Sequence, residues 1–484
     1  MARFNNQFLK DYHLALFGAN NSTLRLLGVL GFFNLPFWMM AHSHLVTRPV
    51  FSLDVVLVAF FLPILGPLVG GLLLCFLWLI DVAVVLSATY NFKLATDFIL
   101  SARFLGALHI ASFLSWETTG MVGLFCLCMV VVVRLLKTPV GFIPTLVVGA
   151  FLFVADAANG SFQMISRADT QHLASNISGS PLRVIAAQAK SQFFSHSLEK
   201  LAPIPESQSL TIQNGILSWP MLYRDRSVLV VIVESFGINK YPEIREWMRS
   251  KLITNDIQEK YLILQTASPF RGATVDGELR VLCDLSGQFG AMTTNVGKNC
   301  LPSQFAKNGW ATHGFHGFVG EMFDRRYWWP QIGLQHVHFV DDLLGPNDPR
   351  CGGGFRGACD ALVAHKLVPL LSGRSQFVYL LTLNTHFPIE AIIIPQDLDT
   401  ICSQTHTSSE ACQHIASIGA FLVELRKSIL AIPTPPAVLV VGDHAPPFSK
   451  TRDREMFDND RVPVFIMTPT DVDSAPNSDS HGAS

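Results

Sequence analysis

Three continuous apolar, β-branched runs each end on a residue able to bind a metal or move a proton, and this limits the folds open to the chain more than any other feature. They are residues 227–234 (SVLVVIVE), 377–386 (FVYLLTLNTH) and 437–444 (AVLVVGDH). Such runs read as strands buried on both faces, and open α/β sheets gather their reactive groups beyond the carboxyl ends of those strands. The expectation is one metal-centred site assembled from distant segments. Between the first two runs, residues 271–278 (RGATVDGE) offer a hydroxyl nucleophile, Thr274, among small neighbours.

That domain is not the whole chain. Of 484 residues, 49% are hydrophobic and only 15% charged, and the mean hydropathy is +0.35, too apolar for one ordinary soluble globule. The apolar excess lies before about residue 160. A bilayer takes about 20 apolar residues to cross. Stretches 26–43, 55–88, 119–135 and 140–157 qualify, and residues 66–71 (GPLVGG) would let the long second stretch turn back on itself. Five spans are therefore expected. Arg3, Lys10 and Arg25 precede the first, and Arg134 and Lys137 lie between the last two; both clusters prefer the cytoplasm, which places everything after about residue 160 outside the inner leaflet. Residues 92–116, with Lys93, Arg103 and His109 spaced among apolar neighbours, read as an amphipathic segment on the outer membrane surface. The expected divisions are a membrane anchor over 1–158, a linker of short helices over 159–226, an extracytoplasmic catalytic domain over 227–469 and a disordered polar tail over 470–484. A formal net charge of −2 supplies no basic stripe for nucleic acid.

Of nine cysteines, Cys75, Cys126 and Cys128 lie in the apolar stretches and read as small fillers. The other six fall as near neighbours, Cys283 with Cys300, Cys351 with Cys359 and Cys402 with Cys412. That spacing fits three local disulfides in an oxidising compartment, in agreement with the charge bias. A structural zinc cluster is the rival, and no Cys-x-x-Cys supports it.

A metal ion lowers the pKa of a hydroxyl and shields the oxyanions of a phosphoryl or sulfuryl group under attack. Glu234, Thr274, Asp443 and His444 supply the carboxylate, hydroxyl and imidazole such an ion takes. Singly, each also reads as a helix-terminal acid, a turn former or a loop cap. Jointly, charged groups placed against the ends of apolar runs favour a site, because an uncompensated carboxylate there is costly.

The motifs VESF at 233–236, GATVDGE at 272–278, TLNTHFP at 382–388 and GDHAPP at 442–447 resemble those of the membrane-anchored, sulfatase-like transferases of the alkaline phosphatase superfamily, in particular the lipoteichoic acid synthase and phosphoethanolamine transferase group. The resemblance implies an α/β/α sandwich behind a multi-span helical domain in a bacterial inner membrane, with the catalytic domain in the periplasm. It implies one divalent ion, zinc or manganese, held by Glu234, Asp443, His444 and Thr274, the last also the nucleophile. Thr274 would take a phospho-alcohol from a membrane phospholipid, release diacylglycerol, and pass the group to an extracytoplasmic glycan or lipid. By the same resemblance His316, Arg325 and His386 face the substrate phosphate. An arginine fork and two imidazoles suit a phosphodiester.

Departures narrow this. A sulfatase needs a Cys-x-Pro-x-Arg motif, and residues 300–304 (CLPSQ) lack the arginine. The Gly-x-Thr-x-Asp-x-Glu form is nearer the phosphoglycerol-transferring members and the cysteine-rich loops nearer the phosphoethanolamine-transferring ones, so the head group stays open. A membrane-tethered metal-dependent phosphodiesterase, phosphatase or sulfatase-like hydrolase is the alternative. Residues 351–359 (CGGGFRGAC) read as a disulfide-closed turn, since they lack the ending of a phosphate-binding loop. Asp156 marks the outer end of the fifth span, and Asp81 is the other acid in the apolar stretches.

Overall fold

The structure, a computed structural model, describes residues 22–44, 48–90, 92, 95–113, 116–136, 140–158, 177–190, 201–287, 289–345, 347–448 and 450–471. Its contacts divide the chain into two compact units: Met1–Arg103, Ala111–Leu198 and Pro447–Arg454 form one, and Phe104–Ile110, Glu199–Pro446 and Glu455–Ser484 the other.

The first unit is built on four apolar helices, α1 (Ser22–His44), α2 (Leu53–Thr89), α3 (Trp116–Leu135) and α4 (Phe142–Ala158). Among the described residues three stretches are long and apolar enough to cross a bilayer, Ser22–His42, Leu68–Thr89 and Thr118–Leu135, and Ile143–Asp156 is a shorter apolar helix. The 37-residue α2 breaks at Gly66, whose φ of 74° lies outside helical space. That is where the sequence predicts the long stretch to turn, and the segment before the break is too short for a span. Leu26, Phe33, Phe37, Val56, Leu74 and Phe125 join one core. The acids noted in these helices have cationic partners: Asp81 takes Arg48 at 2.9 and 2.5 Å, and Asp156 takes Arg183 at 2.7 Å. Lys93, Lys137 and the linker pieces 159–176 and 191–200 lie outside the described residues.

The second unit is a mixed seven-stranded sheet with helices packed on it. In chain order the strands are β1 (Val228–Val233), β2 (Tyr261–Pro269), β3 (Ala311–His316), β4 (His336–His338), β5 (Gln376–Leu381), β6 (Ala437–Gly442) and β7 (Arg461–Pro469). Their spatial order is β2-β7-β6-β1-β5-β3-β4. The five strands from β6 to β4 run parallel, and β7 is antiparallel to both neighbours. The three apolar runs are thus the adjacent central strands β6, β1 and β5, buried along almost their whole length, as strands covered on both faces must be. Helices α5 (Pro242–Leu252) and α8 (Ser409–Leu430) pack together, and Gly419 of α8 leaves room for the Trp247 ring, which a Cβ there would meet at 2.4 Å.

All three predicted disulfides form, Cys283–Cys300, Cys351–Cys359 and Cys402–Cys412. Segment 104–110, from within the expected amphipathic stretch, belongs to this unit: Phe104 and Leu108 pack against Phe318 and Met322, and the His109 N–H donates to the Gly354 carbonyl at 2.9 Å. The C-terminal boundary falls slightly later than the sequence suggests, since the Thr470 N–H donates to the Lys260 carbonyl and Asp471 pairs with Arg226 at 2.9 Å. Residues 472–484, the rest of the expected tail, lie outside the described residues.

Candidate active site

The central parallel strands bring the predicted residues to their carboxyl ends. Glu234 follows β1, Asp443 and His444 follow β6, His316 closes β3, and the turn 382–386 leaves β5. The chain then bends sharply: Ser235 adopts a left-handed φ of 56°, a strained conformation for a residue with a side chain. The bend aims the Ser235 N–H at Asp443 Oδ1 (2.7 Å) and its hydroxyl at Glu234 Oε1 (2.9 Å).

Thr274 is the first residue of α6 (Thr274–Cys283), where unpaired helix N–H groups favour negative charge. Its hydroxyl donates to Glu234 Oε2 at 2.9 Å and lies 3.5 Å from His444 Nε2. Gly277, one turn on, allows this approach, since a Cβ there would stand 2.9 Å from that of Asp443. His444 Nδ1 lies 2.9 Å from the Ala445 carbonyl. A carbonyl only accepts, so Nδ1 carries a proton, and Nε2 faces the two carboxylates, 3.3 Å from Asp443 Oδ2 and 3.5 Å from Glu234 Oε1.

One ligand atom each from Glu234, Asp443 and His444 lies within 4.8 Å of the others, all buried. Asp443 Oδ1 accepts the N–H groups of Ser235 and His444, while Oδ2 is buried without a hydrogen bond. Burial raises the Glu234 carboxyl, but His386, His444 and the two hydroxyl bonds outweigh it and hold the group at about 2. Burial and the Glu234 charge push Asp443 well above the usual carboxylate range. Two adjoining buried carboxylates cannot both ionise without a cation between them. A buried carboxylate oxygen without a hydrogen bond, an imidazole nitrogen facing both carboxylates and a hydroxyl on a helix N-terminus fit a divalent ion of zinc or manganese character.

His316, Arg325 and His386 gather electrostatically around this centre. His316 is buried, and its Nδ1 donates to the Leu381 carbonyl at 3.1 Å. Burial, with help from Arg325, holds it neutral at about 3, so Nε2 is an acceptor for a hydroxyl or ammonium group. His386 donates from Nδ1 to the Phe387 carbonyl at 2.8 Å and lies against the Phe355 ring, 3.8 Å between centroids. Arg325, chosen from sequence ahead of Arg326, is 2% exposed, and its guanidinium pairs with Glu278. Arg326 points to Glu321 at 2.8 Å and is part-exposed.

Three supporting residues escaped the sequence reading. Glu278 stands at the end of the threonine motif, where nothing in the sequence shows that it meets Arg325. Arg280 donates from Nη2 to the Gly442 and Asp443 carbonyls at 3.1 and 3.3 Å, and burial lowers it to about 10. Asp360 gives no sequence signal beyond following Cys359.

The fold is a mixed seven-stranded α/β sheet domain that follows a set of apolar helices in the chain. No family model matches the chain, and no curated protein does. Among solved structures it is similar to the lipoteichoic acid synthase LtaP of Listeria monocytogenes (17% identity, TM-score 0.37, covering 52% of this chain and 70% of that one). It is similar to the phosphoglycerol transferase GacH of Streptococcus pyogenes (14%, TM-score 0.35, 56% and 76%). It is also similar to the integral membrane lipooligosaccharide phosphoethanolamine transferase EptA of Neisseria meningitidis (12%, TM-score 0.44, 85% and 79%). At such identities and scores the reading of function rests on the site's own geometry.

Proposed function

We propose that this chain transfers a phospho-alcohol head group, phosphoethanolamine or phosphoglycerol, from a membrane phospholipid to an extracytoplasmic glycan or lipid through a phospho-threonine at Thr274. The observation that carries the reading is the Thr274 hydroxyl itself. It sits at a helix N-terminus, hydrogen-bonded to a carboxylate that stays ionised and 3.5 Å from His444 Nε2.

Glu234, Asp443, His444 and Thr274 would hold the divalent ion, which when bound supplies charge that favours the threonine alkoxide and the phosphoryl oxygens under attack. Thr274 Oγ1 forms a bond to the lipid phosphorus as its proton passes to Glu234 Oε2, and the bond to the glyceride oxygen breaks; that oxygen takes up one proton from solvent and leaves as the diacylglycerol hydroxyl, while Glu234 returns its proton to solvent. In the second half an acceptor hydroxyl attacks the same phosphorus and Thr274 leaves with its proton restored. The α6 N-terminus favours the charge that develops on Thr274 in both halves. Arg325 and His386 would lie on the phosphate side, and His316, with Nε2 bare, accepts from the hydroxyl or ammonium of the head group. Three disulfides support a catalytic domain in an oxidising, extracytoplasmic compartment.

The test is intact-mass analysis of the full chain after incubation with phosphatidylethanolamine or phosphatidylglycerol vesicles and zinc or manganese. A gain matching one phospho-alcohol in the wild type and none in Thr274→Ala supports the mechanism and names the donor. Equal diacylglycerol release by both proteins with no adduct rejects it. Release of the free phospho-alcohol at the same rate with and without a glycan acceptor assigns the hydrolase alternative instead.

A further inference from the structure

We infer that Asp360 is a positioning residue of this site, fixing through the turn 382–386 both the main chain of Glu234 and the ring of His386; the inference rests on the metal-centre reading above. Asp360 opens helix α7 (Asp360–Lys366) immediately after the Cys351–Cys359 disulfide and is 2% exposed. Its carboxylate accepts the Leu383 N–H at 2.9 and 3.0 Å and the Asn384 N–H at 2.7 Å. Asn384 Oδ1 returns the contact by accepting the Asp360 N–H at 2.7 Å.

The turn held this way grips Glu234 from both sides. Thr382 Oγ1 accepts the Glu234 N–H at 2.9 Å, and Thr385 Oγ1 donates to the Glu234 carbonyl at 2.6 Å. Both threonines are buried. The next residue is His386, whose N–H donates to the Leu383 carbonyl at 2.9 Å. One buried carboxylate thus satisfies two turn amides that have left the β5 ladder, and the turn those amides belong to carries both threonines that hold Glu234 and, next in sequence, His386.

The disulfide hairpin fixes Asp360 in turn. Its ends pair as short strands, Arg350–Cys351 with Gly357–Ala358. The Ala358 N–H donates to the Gly317 carbonyl at 2.7 Å, beside His316, and the Gly354 N–H to the Pro388 carbonyl at 3.1 Å. Phe355 at its tip lies on His386. An aspartate suits this place and an asparagine does not. The amide nitrogen of asparagine would face one of the turn N–H groups, donor against donor, where two carboxylate oxygens now accept.

The decisive experiment titrates cobalt into the metal-stripped full chain, reading visible absorption for affinity and ligand geometry, and measures adduct formation at saturating phospholipid. The expected result for Asp360→Asn is a tenfold or greater loss of cobalt affinity, an altered cobalt spectrum and a matching fall in the adduct rate, with far-UV circular dichroism and disulfide count unchanged. Asp284→Asn, a half-buried acid bonded to Ser209 and Thr211 instead, should leave the cobalt spectrum as in wild type. Should Asp360→Asn fail to fold, Asn384→Ala keeps the carboxylate and removes the returned hydrogen bond, together with the longer one from Asn384 Nδ2 to the Ala358 carbonyl at 3.4 Å, and should shift affinity and spectrum in the same direction. Wild-type cobalt affinity, spectrum and adduct rate in whichever of the two variants folds overturns the inference. If the wild type binds cobalt but forms no adduct, the transfer reading fails while the cobalt titration still decides for Asp360.

Discussion

Arg325 reaches Glu278 from Nε and Nη2, both at 2.9 Å, and neither side chain is open to solvent. Trp329 Nε1 and the Tyr379 hydroxyl donate to the other carboxylate oxygen at 2.9 and 3.1 Å, so Glu278 is fully engaged. The arginine that the sequence points toward a phosphate is therefore held by an acid four residues beyond the nucleophile, on the same helix. Whatever fixes Thr274 also fixes Arg325.

Glu278→Gln should destabilise the chain by about 3 kcal/mol, because it leaves a buried guanidinium without its counter-charge. The double variant Glu278→Gln, Arg325→Met removes both charges and should recover most of that loss, since replacing a buried ion pair by uncharged residues of similar volume is often no worse than keeping the pair. Activity should not recover with it. Thermal unfolding and diacylglycerol release on the three proteins check this, and activity regained with stability would show that Arg325 has only a structural part.

Replacement of the nucleophile divides its roles. Thr274→Ala should lower turnover by at least about 10³-fold. Thr274→Ser keeps the hydroxyl 2.9 Å from Glu234 but loses the methyl that fixes its rotamer, so it should still form an adduct, more slowly. Intact mass after lipid incubation distinguishes them. An adduct of normal rate in Thr274→Ala would place the nucleophile elsewhere.

Stability should fall as the medium is acidified below neutrality. His316 and His414 are both held neutral at about 3, burial being the main cause in each. Unfolded, each would titrate near about 6.5. Between those values the unfolded chain binds more protons than the folded one, so stability rises with pH across this window and is lost as pH falls through it. The slope is at most about 1.4 kcal/mol per pH unit for each group. His414 lies in α8, stacked on Phe387 with centroids 5.0 Å apart. In His414→Leu, unfolding temperatures measured between about pH 5 and about pH 7 should vary less steeply than in wild type. An unchanged slope would mean that His414 takes up its proton without unfolding.

The central strands and the residues at their ends were legible because burial on both faces forces continuous apolar runs, and a charged residue at the end of one stands out. The disulfides were legible from spacing alone, since each joins near neighbours. Strands β2 and β7 were not read: β2 is only partly buried at the sheet edge and mixes Leu, Gln, Thr and Ala, and β7 carries Pro463, which in sequence argues against a central strand. Asp360 and Glu278 were hidden for a different reason. Their partners lie 23 and 47 residues away, and only the folded turn or helix decides which amide or guanidinium a buried acid will meet.

The sharpest check on the metal reading comes from a charge change that should help one state and harm the other. Asp443→Asn keeps an oxygen to accept the Ser235 and His444 N–H groups, now 2.7 and 2.6 Å from Oδ1, but gives up the carboxylate beside Glu234. With zinc or manganese at about 100 times its dissociation constant, the wild type should gain about 2.7 kcal/mol over the chelated protein, and the variant little of it. After chelation the order should reverse, because the variant no longer holds two carboxyl groups against each other in a buried site. Unfolding temperatures of both proteins, with metal and with chelator, give four values that must cross. If Asp443→Asn is the less stable protein under both conditions, Asp443 is a structural acid and not a metal ligand.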